Sequence, residues 1–388
     1  MNLESKLLNF ALARALDTID ANMITFAELY PDDATMGNVY LPRKPLNTSM
    51  ANGANWGWTT GFLPGMIWLA YELTGAAKYR KAGEQQIVNF SERIAHRVWV
   101  DHHDLGFLYT PSCVAPARIL GHEVALRTAI EAADLLMMRF WDKPGIFQAW
   151  GAMDDPNERG RTIVDSLMNM PLLYWASEMT GDARYATAAH RHACQLAAHA
   201  LRPDGTTFHT YYFDTETGAP RFGNTSQGFA DNSCWSRGQA WTMYGFALNY
   251  AYTRDAKLLE AARRVTEYYL AHLPTDRVAY WDLVFGDGSA EERDSSAAAI
   301  AVCGLLELAN CMPSGEHRQR YQSEASAMLA SLITAYTPEA GDRSNALLLH
   351  GVYSKPHGGG VNEGNLWGDY FYLEAIMRML KPDWVRYW

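Results

Sequence analysis

The feature that most constrains this chain is a degenerate repeat of helix pairs. Gly65-Met-Ile-Trp-Leu-Ala-Tyr-Glu-Leu-Thr-Gly-Ala-Ala-Lys-Tyr-Arg and Met170-Pro-Leu-Leu-Tyr-Trp-Ala-Ser-Glu-Met-Thr-Gly-Asp-Ala-Arg-Tyr follow one plan. An aromatic-rich apolar helix runs into Glu-x-Thr-Gly, glycine supplies a left-handed stop, and a second helix starts at once. Gly75 and Gly181 lie two units of about 53 residues apart, so a further pair is expected between them. Cys113-Val-Ala-Pro-Ala-Arg-Ile-Leu-Gly-His-Glu with a helix over Val124 to Phe140 supplies it. Later copies are Met243-Tyr-Gly-Phe-Ala-Leu-Asn-Tyr-Ala-Tyr-Thr-Arg-Asp with a helix over Lys257 to Leu273, and Ala297 to Asn310 with a helix over Gln319 to Tyr336.

A terminal helix over Gly368 to Leu380 and an N-terminal helix over Leu7 to Tyr30 are left without mates. Pairing them closes a circle of six. The expected fold is therefore all-α, an (α/α)6 toroid of six hairpins forming one domain over residues 1–388, with the more apolar helix of each pair inside. An open solenoid would need polar capping repeats, which neither end resembles. Short strand signals, Thr207-Phe-His-Thr-Tyr-Tyr-Phe-Asp and Val278-Ala-Tyr-Trp-Asp-Leu-Val, read as pieces within loops. Gly358-Gly-Gly lacks the lysine, strand and helix of a phosphate loop and also reads as a loop.

In such a ring all inner helices run the same way, so the segments that precede them meet at one mouth. Those segments are Asn55-Trp-Gly-Trp-Thr-Thr-Gly-Phe, His102-His-Asp-Leu-Gly-Phe, Arg161-Thr-Ile-Val-Asp-Ser, Asp231-Asn-Ser-Cys-Trp-Ser-Arg-Gly-Gln-Ala-Trp, Arg293-Asp-Ser-Ser and Asn362-Glu-Gly-Asn-Leu-Trp-Gly-Asp-Tyr. Tryptophan, aspartate, arginine and histidine thus gather on one end of the toroid. The chain has 13 Trp, more than a core requires, and indoles suit sugar faces.

A formal charge of −10 disfavours nucleic acid and anionic membranes as partners. An anionic ligand then needs a local site, which the converging helix N-termini favour. Five cysteines, odd in number and without a CxxC pair, read as reduced thiols, which points to the cytoplasm. The start Met1-Asn-Leu-Glu-Ser-Lys-Leu-Leu reads as a helix rather than a signal peptide, and no apolar stretch reaches the ~20 residues of a membrane span.

An aspartate just before a helix is most often an N-cap, and Asp104, Asp165, Asp294 and Asp369 all invite that reading. Asp104 has two histidines and Gly106-Phe107 around it, which capping does not need. Asp165 sits among Ile163, Val164 and Leu167, a setting that desolvates a carboxyl and raises its pKa. To act as an acid near neutrality it needs desolvation and a neighbouring charge to outweigh the helix dipole by about 2–3 units. Asp104 can supply that charge. His102-His103 is not a chelating pair, because adjacent side chains do not face one ligand, and no metal or cofactor is expected. Arg237, between Trp235 and Trp241, suits stacking or anion binding.

The blocks His102-His-Asp-Leu-Gly-Phe-Leu, Ile163-Val-Asp-Ser-Leu-Met-Asn-Met-Pro-Leu-Leu-Tyr-Trp-Ala, His209-Thr-Tyr-Tyr-Phe-Asp, Trp235-Ser-Arg-Gly-Gln-Ala-Trp, Arg293-Asp-Ser-Ser-Ala-Ala-Ala and Leu366-Trp-Gly-Asp-Tyr-Phe-Tyr-Leu-Glu-Ala resemble the unsaturated glucuronyl hydrolases, glycoside hydrolase family 88. The resemblance covers nearly the whole chain. It implies removal of the 4,5-unsaturated uronic acid from the non-reducing end of lyase-generated oligosaccharides, by hydration of the vinyl ether. Asp165 is then the general acid/base and Asp104 the second essential carboxylate. His103, beside it, falls in the same block. His209, Gln227, Trp235 and Arg237 match residues lining the uronate site, with Trp58, Trp241 and Tyr353 as walls for the first and second sugars. Some members carry Asp where Thr60 stands. Ser354 and Lys355 fall near the second sugar and are expected to favour a sulfated or otherwise anionic one. The alternatives are an unsaturated rhamnogalacturonyl hydrolase, against which the His-His-Asp and Trp-Ser-Arg-Gly-Gln-Ala-Trp blocks lean, and a non-catalytic oligosaccharide-binding toroid, which has no use for an acid at Asp165.

Overall fold

A computed structural model describes residues 5–388. In chain order the helices are α1 (Ser5–Thr25), α2 (Phe62–Thr74), α3 (Ala77–Ala95), α4 (Leu105–Tyr109), α5 (Ala115–Leu120), α6 (Glu123–Met137), α7 (Met170–Thr180), α8 (Ala183–Gln195), α9 (Ser236–Thr253), α10 (Ala256–Ala271), α11 (Ser295–Cys311), α12 (Glu316–Ala335) and α13 (Leu366–Leu380). A π-helical turn over Thr110–Val114 joins α4 to α5, so the two act as one inner element. The inner ring runs α2, α4/α5, α7, α9, α11, α13, and α13 packs back against α2 to close it. The unpaired α1 lies against α13, which makes the sixth hairpin. The expected six-hairpin toroid is the fold, and residues 1–4 of the start that reads as a helix lie outside the described residues.

The repeat dictates the ring because each pair ends its inner helix abruptly. Gly75 and Gly181 take φ of 71° and 74° and donate their N–H to Tyr71 and Ser177. The chain can then turn back within two residues and lay an amphipathic helix outside. The inner helices differ: along α9, 14 residues from Ser236 to Asn249 are buried without a break. Such a helix is stable only when surrounded by others. Tyr387 and Trp388 are buried too; the Trp388 indole stacks on Phe371 (5.7 Å, 20°) and donates to Glu374 (2.7 Å), filling the interior below Phe107.

Boundaries shift from expectation where loops resolve. The helix expected from Met243 begins at Ser236, and α1 ends at Thr25 instead of reaching Tyr30, whose backbone pairs with Arg43 and Gly53. Strands β1 (Phe140–Trp141) and β2 (Ile146–Phe147) form a small hairpin. Strands β3 (Arg161–Ile163), β4 (Thr210–Phe213) and β5 (Pro220–Asn224) form an antiparallel sheet. The segment around Gly358 is the turn of a hairpin, β6 (Gly351–Ser354) with β7 (Gly359–Glu363), rather than a plain loop. The stretch from Val278 makes only isolated bridges, Tyr280 with Arg293 and Asp282 with Trp235. All five cysteines are unpaired. Among the described residues no helix is long and apolar enough to cross a membrane.

Candidate active site

The mouth of the ring holds a cavity of about 440 Å³ lined by residues from four of the six inner-helix approaches and from the 351–363 hairpin, including Asp104 and Asp165. Asp165 sits on a tight 3-10 turn (Val164–Met168) that follows β3. Ile163 pairs with Thr210 in β4, and Val164 donates its N–H to the His209 carbonyl (3.1 Å). Behind the turn, Ser166 Oγ bonds the Ile163 carbonyl and lies 2.6 Å from His192 Nε2. His192 Nδ1 accepts from the Phe147 N–H (3.1 Å), so Nε2 carries the proton and donates to Ser166. Burial pulls the His192 pKa down to about 3, which keeps the ring neutral.

Asp104 precedes α4 without capping it. Its neighbour Gly106 explains how it reaches Asp165. A Cβ on Gly106 would stand 2.4 Å from the Asn169 Cα, so only glycine lets α4 approach the turn that carries Asp165. Asn169 Oδ1 then accepts the Phe107 N–H (2.8 Å) and ties the two elements together.

His103, Asp104 and Asp165 bring ligating atoms within 4.8 Å of one another. His103 Nε2 is 3.3 Å from Asp104 Oδ1 and 3.8 Å from Asp165 Oδ1. Burial, then the charge of Asp104, raises the Asp165 pKa well above the usual carboxylate range, against the pull of Arg237. One Asp165 oxygen is buried without a hydrogen-bond partner. For Asp104 burial also opposes ionisation, but His103, then His102 and the Asn169 amide, outweigh it, and its pKa is lowered. Burial takes His103 down to about 4, so near neutrality the imidazole offers Asp104 an N–H rather than a full charge. The two carboxyls are thus pushed apart, Asp104 towards its ionised form and Asp165 towards its protonated one.

His102 also lines the cavity: its Nδ1 accepts the Asp104 N–H (3.1 Å) and lies 3.5 Å from Asp104 Oδ2, while Nε2 faces the Trp99 carbonyl (3.1 Å). The adjacent histidines do not converge on one ligand. A cation entering the cavity would instead meet His103, Asp104 and Asp165, and a second such group, His190, Cys194 and Asp255, lies outside the cavity on the outer helices.

Of the residues expected at the site, Trp58, His103, Gln227, Trp235, Arg237, Trp241, Tyr353 and Ser354 line the cavity with the two aspartates. The Trp58 indole stacks on Trp367 (5.0 Å) and donates to the Tyr353 hydroxyl (2.9 Å). Gln227 donates to the Tyr353 carbonyl (2.8 Å). Arg237 lies 4.4 Å from the Trp235 ring and 5.0 Å from Trp367, so its second indole neighbour is Trp367 rather than the expected Trp241. It is also fully buried, paired with Asp294 (3.0 Å) and bonded to the Val352 and Tyr353 carbonyls.

Two expected residues do not line the cavity. His209 stands behind the wall, its Nδ1 accepting the N–H groups of Ser226 (3.0 Å) and Gln227 (3.2 Å), with burial drawing its pKa down to about 3. Lys355 pairs with Glu292 and, at 3.7 Å, Glu291. Of the four aspartates that could be caps, only Asp294 is one, accepting from Ser296 and Ala297. Asp369 lies within α13 and binds the Leu348 N–H and Tyr40 hydroxyl, while burial lifts its pKa to about 7. Thr60 donates to Asn55 (2.7 Å) and accepts from Arg93 (2.9 Å). Trp99, Trp150, Ser226 and His357 join the cavity unforeseen. Their one available signal is place: Trp99 and Trp150 lie in the loops that lead to the His-His-Asp and Arg161 segments.

The family model described as Glycosyl Hydrolase Family 88 matches residues 35–380. An unsaturated chondroitin disaccharide hydrolase of Streptococcus agalactiae serotype III (strain NEM316) is 44% identical over 379 residues, covering 97% of this chain and 92% of that protein. The crystal structure of an unsaturated glucuronyl hydrolase from Streptococcus agalactiae superposes with a TM-score of 0.94 at 43% identity, covering 100% of this chain and 95% of that one. An aspartate-to-asparagine mutant from that organism, complexed with dGlcA-GalNAc6S, gives 0.87 at 41% identity with the same coverage.

Proposed function

The chain belongs to glycosyl hydrolase family 88 and is an unsaturated glucuronyl hydrolase, and we propose that Asp165 supplies the proton and Asp104 the counter-charge for hydrating the terminal vinyl ether. The observation that carries this reading is Asp165, its pKa raised well above the usual carboxylate range by burial and the charge of Asp104, held beside Asp104, whose pKa is lowered, in a cavity walled by indoles. Protonating an enol ether requires a carboxylic acid that keeps its proton near neutrality and reaches carbon from a partly dry side.

The Asp165 O–H bond breaks and its proton bonds C4, while the C4=C5 π pair forms the new C–H bond. Positive charge develops at C5 and the ring oxygen, steadied by Asp104. Asp165, now a carboxylate, takes a proton from water as the water oxygen bonds C5, which restores the acid. The resulting hemiketal opens and releases the partner sugar. Because water adds across a double bond, the separation rule for the carboxylates of ordinary glycosidases does not govern this pair. His103, 3.3 Å from Asp104, and the hydrogen bonds of His102 and Asn169 favour its ionised form, and Arg237 fixes the Tyr353 strand against the cavity.

The substrate class is the product of a uronic-acid lyase, and the relative named for chondroitin disaccharide supports a glycosaminoglycan disaccharide. Ser354, its Oγ 2.7 Å from His357 Nδ1 at the cavity edge, would meet a sulfate on the second sugar, and Lys355, next to it but outside the cavity lining, would have to swing in to join it. The sulfate must then compete with Glu292 for the lysine. The unpaired cysteines support a reducing compartment, the cytoplasm.

The test follows loss of the vinyl-ether ultraviolet absorbance on unsaturated chondroitin disaccharides, with unsaturated pectin fragments as the control arm. Turnover of the first set and its abolition by Asp165→Asn are expected. Turnover of pectin fragments alone, or full activity in the Asp165→Asn protein, would overturn the reading.

A further inference from the structure

Away from the mouth, the outer helices α8 and α10 bring three unlike donors to one point. His190 and Cys194 stand four residues apart on α8, so both project from one face of that helix. Asp255, the cap of α10, meets them from the next hairpin, 61 residues beyond Cys194. His190 Nε2 lies 2.9 Å from Asp255 Oδ2, and Cys194 Sγ lies 3.7 Å from the same oxygen. The three ligating atoms fall within 4.8 Å of one another, and all three residues are half-buried, within reach of an ion from solvent. His192, between them on α8, points the other way and supports the Asp165 turn.

The carboxylate divides its work. Asp255 Oδ1 accepts the Lys257 N–H (2.9 Å) and caps α10, while Oδ2 is turned to the histidine and the cysteine. The cap thus holds the carboxylate in a fixed orientation for whatever Oδ2 binds. Packing at such a junction does not call for the other two donors, as the preceding hairpin shows. There Asp182 caps α8 and is taken up by the Arg184 guanidinium. Counted from the caps His122 and Asp182, α6 carries Ile130 and Asp134 at the places where α8 carries His190 and Cys194, and Tyr185 bonds Asp134.

We propose that His190, Cys194 and Asp255 form a zinc site that staples the α7–α8 hairpin to the α9–α10 hairpin. One imidazole nitrogen, one thiolate and one carboxylate oxygen suit tetrahedral zinc, with water as the fourth ligand. Zinc bonds of about 2.0–2.3 Å place such donors about 3.4–3.6 Å apart, so the three atoms close around the ion with shifts of about an ångström or less. On binding, the thiol proton goes to solvent and the imidazole N–H moves to Nδ1. The thiolate and carboxylate charges then balance the divalent ion. The donor set is invisible in the sequence, where metal motifs show as close spacing, because its third member arrives only when α10 packs beside α8.

The experiment titrates chelator-treated wild type, Cys194→Ser, His190→Ala and Asp255→Asn with cobalt(II), then with zinc. Wild type is expected to show a thiolate-to-cobalt charge-transfer band in the near ultraviolet that saturates at one ion per chain and is removed by zinc. Cys194→Ser is expected to lose the band. His190→Ala and Asp255→Asn should weaken the binding at least about tenfold, the latter with its helix cap kept. Zinc at about a hundredfold excess over its Kd should raise the wild-type Tm by about 3 °C and leave that of Cys194→Ser unmoved. His103, Asp104 and Asp165 contain no sulfur, so an ion held at the mouth gives no such band. Cobalt bound without the band, a band that survives in Cys194→Ser, or a wild-type Tm indifferent to zinc overturns the site and leaves the reaction at the mouth standing.

Discussion

Asp104 and Asp165 carry oxygens within 4.8 Å of one another, and the pair shares a site too dry to hold two negative charges. Raising the Asp165 pKa and lowering that of Asp104 divides the labour between acid and counter-charge. The active form has Asp165 protonated, so kcat/KM should fall as pH rises through its elevated pKa. Asp104→Asn removes the neighbouring charge and lowers the Asp165 pKa, so the alkaline limb moves to lower pH. A pH profile of the residual activity checks this; a limb that stays in place would assign it to another group.

With rising pH stability should fall alongside activity. The folded-state pKa of Asp165 is raised above its unfolded value, so the native state is favoured while both are protonated, at low pH. That advantage is lost as pH rises through the folded pKa. Asp165→Asn should therefore raise Tm at pH 8 and leave it nearly unchanged at pH 3, while cutting kcat by about 10²–10⁴. Equal shifts at both pH values would mean that burial, not protonation, sets the difference.

Gly106→Ala should separate the two carboxylates. The added carbon meets the Asn169 backbone at 2.4 Å, and neither α4 nor the 3-10 turn can yield without the other. A loss of about 1–3 kcal/mol in urea unfolding is expected, with a fall in kcat larger than any rise in KM. Wild-type kcat in the variant would show that the elements tolerate separation.

The Arg237–Asp294 pair is buried on both sides, and its loss leaves an uncompensated guanidinium under the cavity wall. Asp294→Ala should destabilise the fold by about 3–5 kcal/mol, and Asp294→Asn by less, since the amide still caps α11. Chemical denaturation measures both; equal small effects would mean that solvent reaches Arg237.

Lys355→Ala should lower the ratio of kcat/KM on 6-sulfated over unsulfated disaccharide about tenfold if sulfate displaces Glu292. An unchanged ratio would leave Lys355 as a counter-ion for the glutamates alone.

The ring was legible in the chain because its signals are local: Thr-Gly stops at Gly75 and Gly181, aromatic inner helices, and amphipathic outer ones, each set by neighbours within a turn or two. The common mouth followed from counting pairs, and with it the gathering of Asp104, Asp165 and the tryptophans. What the aspartates do there depends on partners far along the chain. Asp294 caps a helix and pairs with Arg237, Asp369 ties down Leu348, and Asp165 is left with a buried, unpartnered oxygen. His209 and Lys355 read like their neighbours in the sequence, yet only packing put one behind the wall and gave the other to Glu292. Helix stops and apolar faces are written in adjacent residues, whereas burial and charge pairing are sums over everything that folding brings near, and they exist only once the ring has closed.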